Sequence, residues 1–452
     1  MKKRRLFGTD GVRGLANQAP MDPETALGLG RALARVFLGR NRHHRIVIGK
    51  DTRRSGYMIE NALSSGICSM GGEAIFLGPL PTPGTAFITQ AMRAAAGVMI
   101  SASHNPYYDN GIKFFDYQGY KLPDEIEMEI ESLLESEDLK KGPTHEQVGK
   151  AYRVEDATGR YIEYLKTTFP KDLTLEGFKI VVDCAHGAAY HVAPTVFEEL
   201  GAEVVAIGVE PNGLNINAQS GALYPEALQE KVKAEGADLG IALDGDADRL
   251  VLVDERGEIL HGDVLLALCA RDLQERGNLA QNTVVATVMS NLGLELSLQD
   301  WGIRLHRVQV GDRYVIEAMR QQRFNFGGEQ SGHLIFSDYS TTGDGILAAL
   351  QLMSILKRKK TVLSRFSEGV RIFPQVLLNV RIQERRDLQQ VPEMQRLQAG
   401  IQKSLGEKGR LLLRYSGTEP LLRIMLEGED KTKIEAYAQD LKTEAEKVLG
   451  RG

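Results

Sequence analysis

The chain repeats one plan of strands and helices three times, and this repetition limits its fold more than any other feature. In each copy, a β-branched strand leads through a helical stretch to a second strand, which ends at or near Gly78, Gly208 or Gly311. The first strands are predicted at 45–49, 179–183 and 283–288, and the second strands at 73–78, 203–208 and 304–311. Strands that alternate with helices predict βαβ units and mainly parallel sheets. The repeat is longer than the roughly 20–50 residues of a solenoid, so it predicts three related α/β domains.

The pattern of strands and helices changes after Phe373 and Pro374. Strands are predicted at 376–380, 410–413 and 422–426, and helices at 392–405 and 431–449. These elements indicate a smaller α+β domain. The predicted fold class is therefore α/β, with three related α/β domains of mixed, mainly parallel sheets and a smaller C-terminal α+β domain, arranged around one central cleft. The expected domains span 1–155, 156–255, 256–372 and 373–452.

Composition excludes several classes of protein. Of the 452 residues, 42% are hydrophobic and 25% are charged, which argues against disorder and against a small disulfide-stapled fold. A net charge of −5 argues against a nucleic-acid-binding protein, which usually carries excess positive charge. Cys68, Cys184 and Cys269 lie far apart, as is typical of core cysteines in a reducing compartment.

The sequence also lacks the marks of a membrane or exported protein. No apolar run approaches the roughly 18 residues that a membrane span requires. Only Leu6 and Phe7 follow the basic start at 2–5, so the apolar segment of a signal peptide is missing. We therefore expect a cytoplasmic protein that binds neither membranes nor nucleic acids.

Each α/β repeat carries one distinctive polar loop after the glycine that ends its second strand. These loops lie at 101–106, 244–249 and 328–333. Open α/β sheets bind ligands outside the carboxyl ends of their strands, where loops of this kind lie. The three loops are therefore expected to meet in one cleft.

Asp244, Asp246 and Asp248 alternate along the second loop, directly after the apolar strand predicted at 239–243. Three carboxylates so close repel one another unless a cation lies among them, and oxygen ligands favour Mg²⁺ or Mn²⁺ over zinc. A solvated acidic turn is the plain alternative. A calcium EF-hand is excluded, because its sixth position needs glycine where this loop has Arg249, and its flanks would be helices.

The first loop holds Ser101, Ser103 and His104 beside a proline. A serine is a weak nucleophile until a base or a metal assists it, and a serine next to a histidine is usually turn chemistry. The aspartate loop changes this interpretation, because a metal held there could coordinate a phosphate carried on a serine. The GxSxG motif of α/β-hydrolases does not occur around either serine.

Two further loops offer ligand-binding groups. The segment 414–423 combines two guanidiniums, two hydroxyls and backbone N–H groups around a glycine, which are groups that grip a phosphate dianion. A surface hairpin turn is its simple alternative. The loop 328–333 offers a carboxylate, an amide, a hydroxyl and an imidazole, which can hydrogen-bond sugar hydroxyls or an amine.

Taken in this order, the motifs resemble those of the α-D-phosphohexomutase superfamily. The resemblance extends over nearly the whole chain, from FGTDGVRG at 7–14 through the serine loop, DGDADR and GEQSGH to RYSGTEP at 414–420. The segment 289–295 is similar to the branch of the superfamily that acts on glucosamine phosphates. His186 stands where asparagine is usual, and Tyr415 where lysine or proline is frequent. Both departures lie beside the implied site residues.

The resemblance implies roles for individual residues. Ser103 is implied as the phosphorylated nucleophile, and the metal ligands are implied as Ser103, Asp244, Asp246 and Asp248. Lys113 and Arg249 are the candidates for proton transfer and charge stabilisation, with Lys113 the better base, because an arginine does not readily lose its proton. The remaining implied residues bind the sugar (Glu329, Ser331, His333), bind its phosphate (Arg414, Ser416, Gly417, Thr418, Arg423) or support the phosphoserine (Arg13, Lys50, His104).

The implied activity interconverts glucosamine 6-phosphate and glucosamine 1-phosphate, a step toward UDP-N-acetylglucosamine and the cell wall. One Mg²⁺ per chain is the implied cofactor, glucosamine 1,6-bisphosphate is the implied intermediate, and the partner is a small sugar phosphate. Homodimers are usual in the superfamily, so a homodimer is possible. The alternatives are a phosphoglucomutase/phosphomannomutase, a Mg²⁺-dependent sugar phosphatase and a non-catalytic sugar-phosphate sensor.

Overall fold

The computed structural model describes residues 6–8, 10–38, 44–416 and 420–450. The chain divides into two compact units. The first is formed by Met1–Met289 and Ile303–Glu368, and the second by Ser290–Gly302 and Gly369–Gly452. The first unit contains three mixed α/β sheets, and the second contains an antiparallel sheet with helices, which confirms the prediction of three α/β domains and a smaller C-terminal α+β domain. Within the described ranges, each helix is too short or too polar to cross a membrane.

The first α/β domain is built on six strands. Its elements are β1 (Val12–Leu15), α1 (Pro23–Leu38), β2 (Arg45–Lys50), α2 (Ser55–Ser69), β3 (Glu73–Pro79), α3 (Thr82–Ala91), β4 (Ala96–Ile100), β5 (Asp109–Asp116), α4 (Asp124–Leu134) and β6 (Ala151–Arg153). The sheet order is β1-β5-β4-β2-β3-β6, in which β5 runs antiparallel to both of its neighbours. The other pairs are parallel, so the carboxyl ends of β2 and β4 lie at the same edge.

Helix α3 packs closely on this sheet because two strand residues lack a side chain. A Cβ atom on Gly49 would lie 2.1 Å from Thr85 Oγ1, and one on Gly97 would lie 2.2 Å from Thr89 Oγ1. Both threonines are fully buried. Larger residues at the two glycines would push the helix off the strands that lead to the serine loop.

The second α/β domain follows the same plan with five strands. Its elements are α5 (Ala157–Thr168), β7 (Lys179–Asp183), α6 (Val192–Glu199), β8 (Glu203–Ile207), α7 (Glu226–Glu235), β9 (Leu239–Leu243), β10 (Leu250–Asp254) and β11 (Ile259–Leu260). The order is β11-β10-β9-β7-β8, with β7, β8 and β9 parallel. The turn from β9 to β10 carries the aspartate loop between two buried, antiparallel strands.

The third sheet has four strands in the order β13-β12-β14-β15. The elements of this region are α8 (Gly262–Glu275), β12 (Thr283–Thr287), α9 (Leu292–Asp300), β13 (Arg304–Val308), α10 (Asp312–Gln322), β14 (Phe326–Gly328), β15 (Leu334–Phe336), α11 (Gly345–Lys359) and α12 (Leu363–Ser367). The strand predicted to reach Gly311 ends at Val308, because Gly311 adopts φ 130° at the start of α10. Helix α11 is buried from Gly345 to Leu356, as expected for a helix that is apolar all round.

The second unit contains a three-stranded antiparallel sheet in the order β16-β18-β17. Its elements are β16 (Gln375–Arg381), α13 (Pro392–Leu405), β17 (Gly409–Tyr415), β18 (Leu421–Gly428) and α14 (Lys431–Leu449), together with α9. The fully buried carboxylate of Glu427 joins α9 to this sheet. It accepts the backbone N–H of Leu292 at 3.0 Å and pairs with Arg410 at 3.0 Å.

Candidate active site

Ser103 lies just beyond the carboxyl end of β4 and is only 2% exposed. Its Oγ donates a hydrogen bond to Asp244 Oδ2 at 2.6 Å and lies 3.3 Å from His104 Nδ1. Burial and the nearby guanidiniums of Arg249 and Arg13 lower the pKa of His104 to about 4, so this imidazole is neutral at pH 7. The predicted meeting of the first and second loops is confirmed by the bond from Ser103 to Asp244.

The three aspartates of the second loop form a buried cluster. One carboxylate oxygen from each of Asp244, Asp246 and Asp248 lies within 4.8 Å of the others. Asp246 Oδ1 and Asp248 Oδ1 are buried and accept no hydrogen bond from the described residues. Burial, followed by the charges of Asp248 and Asp246, raises the pKa of Asp244 to about 8. Unbonded oxygens and crowded negative charge fit a divalent cation, and carboxylate oxygens suit Mg²⁺.

Lys113 on β5 brings a positive charge to this cluster. Its Nζ lies 2.7 Å from Asp246 Oδ2, 3.5 Å from Asp248 Oδ2 and 3.3 Å from Asp10 Oδ2. Burial alone would lower the pKa of Lys113, but the carboxylates of Asp10, Asp246 and Asp248 outweigh it and raise the pKa above its usual range. Lys113 is therefore a buried ammonium, which favours the charge-stabilising part of its predicted role over proton abstraction.

Two arginines lie beside the aspartates. Arg13 pairs with Asp10, and Arg249 donates its backbone N–H to Asp244 Oδ1 at 3.3 Å. The Nε atoms of both arginines are buried and donate to no described residue. Guanidiniums with unused donors beside a cation site are suited to bind an anionic group such as phosphate.

Lys50, which the resemblance implies as a support for the phosphoserine, has other partners. It ends β2, where its Nζ lies 2.7 Å from Glu60 Oε2 and 3.4 Å from the centre of the Tyr57 ring. These contacts use the ammonium on the side of the domain that α2 covers. Asp51 and Arg53, one and three positions after Lys50, contact the serine loop instead. A role for Lys50 in supporting the phosphoserine stays a prediction.

The third polar loop joins β14 to β15 and carries the predicted sugar-binding residues. Glu329 Oε1 accepts a backbone N–H from the start of α10 at 3.1 Å, and burial raises the pKa of Glu329. Ser331 Oγ is buried and bonds to no described residue, so it is available to a ligand. His333 is buried between Asp248, 3.6 Å from its Nδ1, and Asp312, 3.5 Å from its Nε2. This loop therefore reaches the aspartate cluster, as the sequence predicted for the third loop.

The predicted phosphate-binding residues lie in the second unit. Arg414 and Arg423 stand opposite each other on β17 and β18. Burial and the charge of Arg423 lower the pKa of Arg414. Ser416 is buried, and its carbonyl oxygen accepts from Arg385 Nη2 at 2.6 Å. Two facing guanidiniums fit an anion between or beside them. The predicted loop residues outside the described residues are Gly417 and Thr418.

Several residues that hold the site were not among the predicted site residues. Asp51 and Arg53 bind the serine loop, Asn217 reaches it from the second domain, and Lys121 pairs with Asp10. Asp51 and Arg53 could have been found, because they directly follow a parallel strand, where ligand-binding loops lie. The other contacts depend on how distant loops approach one another, for which one sequence gives no signal.

The arrangement within the first unit is suited to phosphoryl transfer. A buried hydroxyl, Ser103 Oγ, touches a carboxylate cluster that fits a divalent cation, and positive groups surround the two. Phosphoryl transfer needs positioning and charge neutralisation rather than a strong base. The site supplies both.

Comparison with known families agrees with this chemistry along the whole chain. Models of the phosphoglucomutase/phosphomannomutase family match four successive segments. The alpha/beta/alpha domains I, II and III match residues 4–141, 159–257 and 261–372, and the C-terminal domain matches residues 377–444.

Individual relatives extend the comparison. The chain is 57% identical to the phosphoglucosamine mutases of Syntrophotalea carbinolica and Geotalea daltonii, over 99% of this chain in both cases and over 98% and 99% of those proteins. A solved phosphoglucomutase/phosphomannomutase family protein of Burkholderia thailandensis has a TM-score of 0.81 at 24% identity and covers 99% of this chain and 98% of that one. The N-acetylphosphoglucosamine mutase of Aspergillus fumigatus, solved with GlcNAc-6P and magnesium, has a TM-score of 0.67 at 19% identity, over 98% and 95% of the two chains. From the four matched domains and these full-length relatives, we conclude that the chain belongs to the phosphoglucosamine mutases of the phosphoglucomutase/phosphomannomutase family.

Proposed function

We propose that this chain interconverts glucosamine 6-phosphate and glucosamine 1-phosphate through a phosphate carried on Ser103. The observation that carries the proposal is the 2.6 Å hydrogen bond from Ser103 Oγ to Asp244, which brings a buried hydroxyl to a cluster of three carboxylates. The identity to phosphoglucosamine mutases over nearly the whole chain supports the choice of sugar. The product supplies the synthesis of UDP-N-acetylglucosamine for the cell wall.

The proposed reaction consists of two phosphoryl transfers. In the first, the bond from phosphorus to Ser103 Oγ breaks, a bond to the free hydroxyl of the sugar forms, and that hydroxyl gives up its proton. The intermediate is glucosamine 1,6-bisphosphate, which turns over in the site. In the second transfer, the other phosphate of the intermediate is transferred to Ser103: its bond to the sugar oxygen breaks, a bond to Ser103 Oγ forms, and the sugar oxygen takes up a proton. The enzyme therefore ends phosphorylated, as it began.

The residues around Ser103 have distinct proposed roles. Asp244, Asp246 and Asp248, with Ser103, would hold one Mg²⁺ per chain, which when bound supplies positive charge that stabilises the transferring phosphoryl group. We assign Lys113 to charge stabilisation, because its ammonium already lies among these carboxylates. Arg249, Arg13 and His104 offer donors to the phosphate on Ser103.

Two loops have proposed roles in binding the substrate. Glu329, Ser331 and His333 hold the sugar, and the unbonded hydroxyl of Ser331 supports this role. The phosphate that does not react is proposed to bind the loop formed by Arg414, Ser416, Gly417, Thr418 and Arg423. The like charges of Arg414 and Arg423 face each other within the second unit, which supports an anionic ligand there.

We also propose the setting in which the protein works. The spans 1–155, 156–255, 256–372 and 373–452 serve as its proposed domains, and a homodimer is its proposed assembly. A cytoplasmic location is supported by Cys68, Cys184 and Cys269, which are all free thiols in the structure. No role in nucleic-acid binding is proposed.

A substrate panel tests the function. The protein is incubated with Mg²⁺, a catalytic amount of the matching 1,6-bisphosphate and each of glucosamine, glucose and mannose phosphate, and both isomers and free phosphate are measured. We expect isomers of glucosamine phosphate to form much faster than free phosphate. Faster release of phosphate would identify a sugar phosphatase, and a higher kcat/KM for glucose or mannose phosphate would identify a phosphoglucomutase/phosphomannomutase.

A further inference from the structure

We propose that Asn217 and Arg53 are positioning residues for the nucleophile. Both side chains donate hydrogen bonds to the backbone carbonyl oxygens of Ser103 and Asn105. Asn217 belongs to the second domain and Arg53 to the first. We call this set of contacts the carbonyl clamp. The clamp holds the serine loop in the conformation that directs Ser103 Oγ at Asp244. The inference rests on the proposed function, because it takes Ser103 as the nucleophile.

Asn217 supplies the half of the clamp that comes from the second domain. Its Nδ2 donates to Ser103 O at 2.9 Å and to Asn105 O at 3.0 Å, so both amide protons are used on the serine loop. The residue is buried and has φ 59°, a left-handed conformation that asparagine tolerates better than most residues. The backbone N–H of Asn217 donates to Ala185 O at 2.9 Å, which holds the backbone that carries the amide side chain in place.

Arg53 supplies the other half and is fully buried. Its Nη2 donates to the same two oxygens, Ser103 O and Asn105 O, at 2.9 Å each, and its Nη1 donates to Pro106 O. Its Nε donates to Asp51 Oδ2 at 2.8 Å, so the guanidinium is held by a fully buried ion pair. Each of the two carbonyl oxygens therefore accepts from two side chains, which uses both of its lone pairs.

The clamp is needed because Ser103 has an unfavourable backbone conformation. At φ 53° it lies in the left-handed region, which a serine adopts only when its surroundings hold it there. Gly245 closes the other side of the loop, since a Cβ atom at Gly245 would lie 2.6 Å from Ser103 O and 2.8 Å from Asn217 Nδ2. The carbonyl of Ser103 is thus enclosed, while the Ser103 Oγ donates its hydrogen bond to Asp244.

A positioning role predicts a specific kinetic effect. Neither Asn217 nor Arg53 is proposed to touch the sugar, so weakening the clamp should leave the KM for glucosamine 1-phosphate nearly unchanged. It should lower kcat, because a nucleophile displaced by about an ångström reacts up to a hundredfold more slowly. A purely structural role would lower the melting temperature and leave kcat per folded molecule unchanged.

The test compares Asn217→Gly with Asn215→Gly in the full-length protein. Glycine at 217 keeps the left-handed backbone but removes both donors. Asn215 lies in the same loop, but its side chain hydrogen-bonds to the backbone of Asn212 and Glu210 and, within the described residues, not to the serine loop, so it is the matched control. We expect Asn217→Gly to lower kcat at least about tenfold with KM changed less than about twofold, and Asn215→Gly to change neither.

A second pair of variants tests the clamp without relying on one substitution. Asn217→Asp keeps size and backbone preference but replaces the donor by an acceptor, and Arg53→Lys keeps the charge but loses the fork of donors. Both should lower kcat, and combining Arg53→Lys with Asn217→Gly should cost less than the product of the two effects, because they share the same carbonyl oxygens. An unchanged kcat in folded Asn217→Gly and Asn217→Asp would overturn the inference.

Uptake of phosphate separates this inference from the proposed function. Dephosphorylated protein is mixed with glucosamine 1,6-bisphosphate, and the phosphate on Ser103 is followed by intact mass. If the unaltered protein takes up phosphate but forms no isomer, the proposed function fails, and slower uptake in Asn217→Gly still supports the clamp. Equal uptake rates in the unaltered protein, Asn217→Gly and Asn215→Gly would overturn the clamp even in an active mutase.

Discussion

Ser101 and Ser103 are two positions apart, yet their hydroxyl groups have different hydrogen-bond partners. Ser101 is fully buried, and its Oγ donates to Asp51 Oδ2 at 2.6 Å while accepting the backbone N–H of Ser103 at 2.9 Å. The hydroxyl of Ser101 is therefore already engaged by Asp51 and by the backbone of Ser103. Ser103 Oγ instead faces Asp244, on the side where the cation is proposed to bind.

We expect Ser103→Ala to abolish both phosphate uptake and isomer formation, because the accepting oxygen is gone. Ser101→Ala should still take up phosphate, although more slowly, because Asp51 and the Ser103 amide each lose a hydrogen-bond partner. Intact mass with peptide mapping gives the level and position of the phosphate, and a coupled assay gives the isomer. Phosphate found on Ser101, or turnover in Ser103→Ala, would refute the assignment.

The aspartate cluster gives a second prediction at the scale of single residues. Mg²⁺ should raise the melting temperature of the protein, because an ion that binds only the folded state adds about 2.7 kcal/mol at a hundredfold excess over its Kd. The Asp246→Asn variant should still fold, since asparagine keeps the size of aspartate but not its charge. Its melting temperature should no longer respond to Mg²⁺, and its turnover should fall by orders of magnitude.

The control for the metal prediction is Asp238→Asn. Asp238 precedes β9 and accepts the backbone N–H of Lys179 at 2.8 Å, away from the cluster. This variant should keep the response to Mg²⁺. Full activity of the unaltered protein in excess chelator would contradict the metal requirement.

Among the helices, α11 shows how burial and charge combine within one element. Asp344 caps it by accepting the backbone N–H of Leu347 at 3.0 Å, and it also accepts the hydroxyl of Tyr161 at 2.6 Å. The carboxyl group is 2% exposed. Burial is the main cause that raises the pKa of Asp344 to about 6, from 3.8 in an exposed carboxyl.

This raised pKa predicts a pH dependence of stability. Between pH 4 and pH 6 the folded protein holds a proton on Asp344 that the unfolded chain has released, so this group's contribution to the free energy of unfolding falls as pH rises. The loss is about 3 kcal/mol above pH 6, from about 1.4 kcal/mol per pKa unit. Asp344→Asn keeps the acceptor oxygen but cannot ionise, so its melting temperature relative to the unaltered protein should rise across this range.

Calorimetry from pH 4 to pH 8 measures this difference. Asp430→Asn is the control, because Asp430 also caps a helix, α14, by accepting the backbone N–H of Lys433 at 3.1 Å, but it is exposed. Its curve should run nearly parallel to that of the unaltered protein. A constant offset between Asp344→Asn and the unaltered protein would show that Asp344 does not titrate in this range.

The elements themselves were largely readable from the sequence. The helices predicted at 392–405 and 431–449 have those bounds in the structure, because a proline, a capping aspartate and an apolar face mark them locally. The strand predicted at 179–183 is equally well placed. The strand predicted at 304–311 is too long, because one glycine gave no sign of where the backbone would turn.

The candidate site was readable only in part. Ser103 and Asp244 each follow the end of a strand. Their contact could be predicted because ligand-binding loops lie at the carboxyl ends of the strands of open α/β sheets. The carbonyl clamp could not, because the side chain of Asn217 bonds to a backbone oxygen 114 positions away. Lys50 shows the same limit, since its pairing with Glu60 depends on how α2 packs on the sheet.

At the scale of the whole molecule, the question is which hexose phosphate the protein prefers. Glucosamine phosphate carries an ammonium at C2, whereas glucose phosphate has a hydroxyl there. Glu329 is the carboxylate of the predicted sugar loop. Burial raises its pKa, because a buried carboxylate is costly unless a positive group pairs with it. A charge-assisted contact is worth about 1.5–3 kcal/mol, or about ten- to a hundredfold in preference.

We therefore expect Glu329→Gln to lower kcat/KM for glucosamine 1-phosphate far more than for glucose 1-phosphate, with the ratio falling by about ten- to a hundredfold. Glu317→Gln is the matched control, because Glu317 lies exposed on α10 and contacts Gln321. Competition between the two sugars in one reaction measures the ratio directly. An equal loss for both sugars would show that Glu329 does not read the amine.

The hydrogen bond from Ser103 to Asp244 joins residues 141 positions apart, and we expect this separation along the chain to determine when the protein becomes active during its synthesis. The ribosome makes the serine loop long before it makes the aspartates or Asn217. Domains fold largely in order as the chain emerges, so the first domain exists for a time on its own. In that interval Ser103 lacks the proposed cation site and the half of the clamp that Asn217 supplies. We therefore expect that an unfinished chain does not accept phosphate and lose it to water, because the proposed chemistry needs the second domain folded against the first.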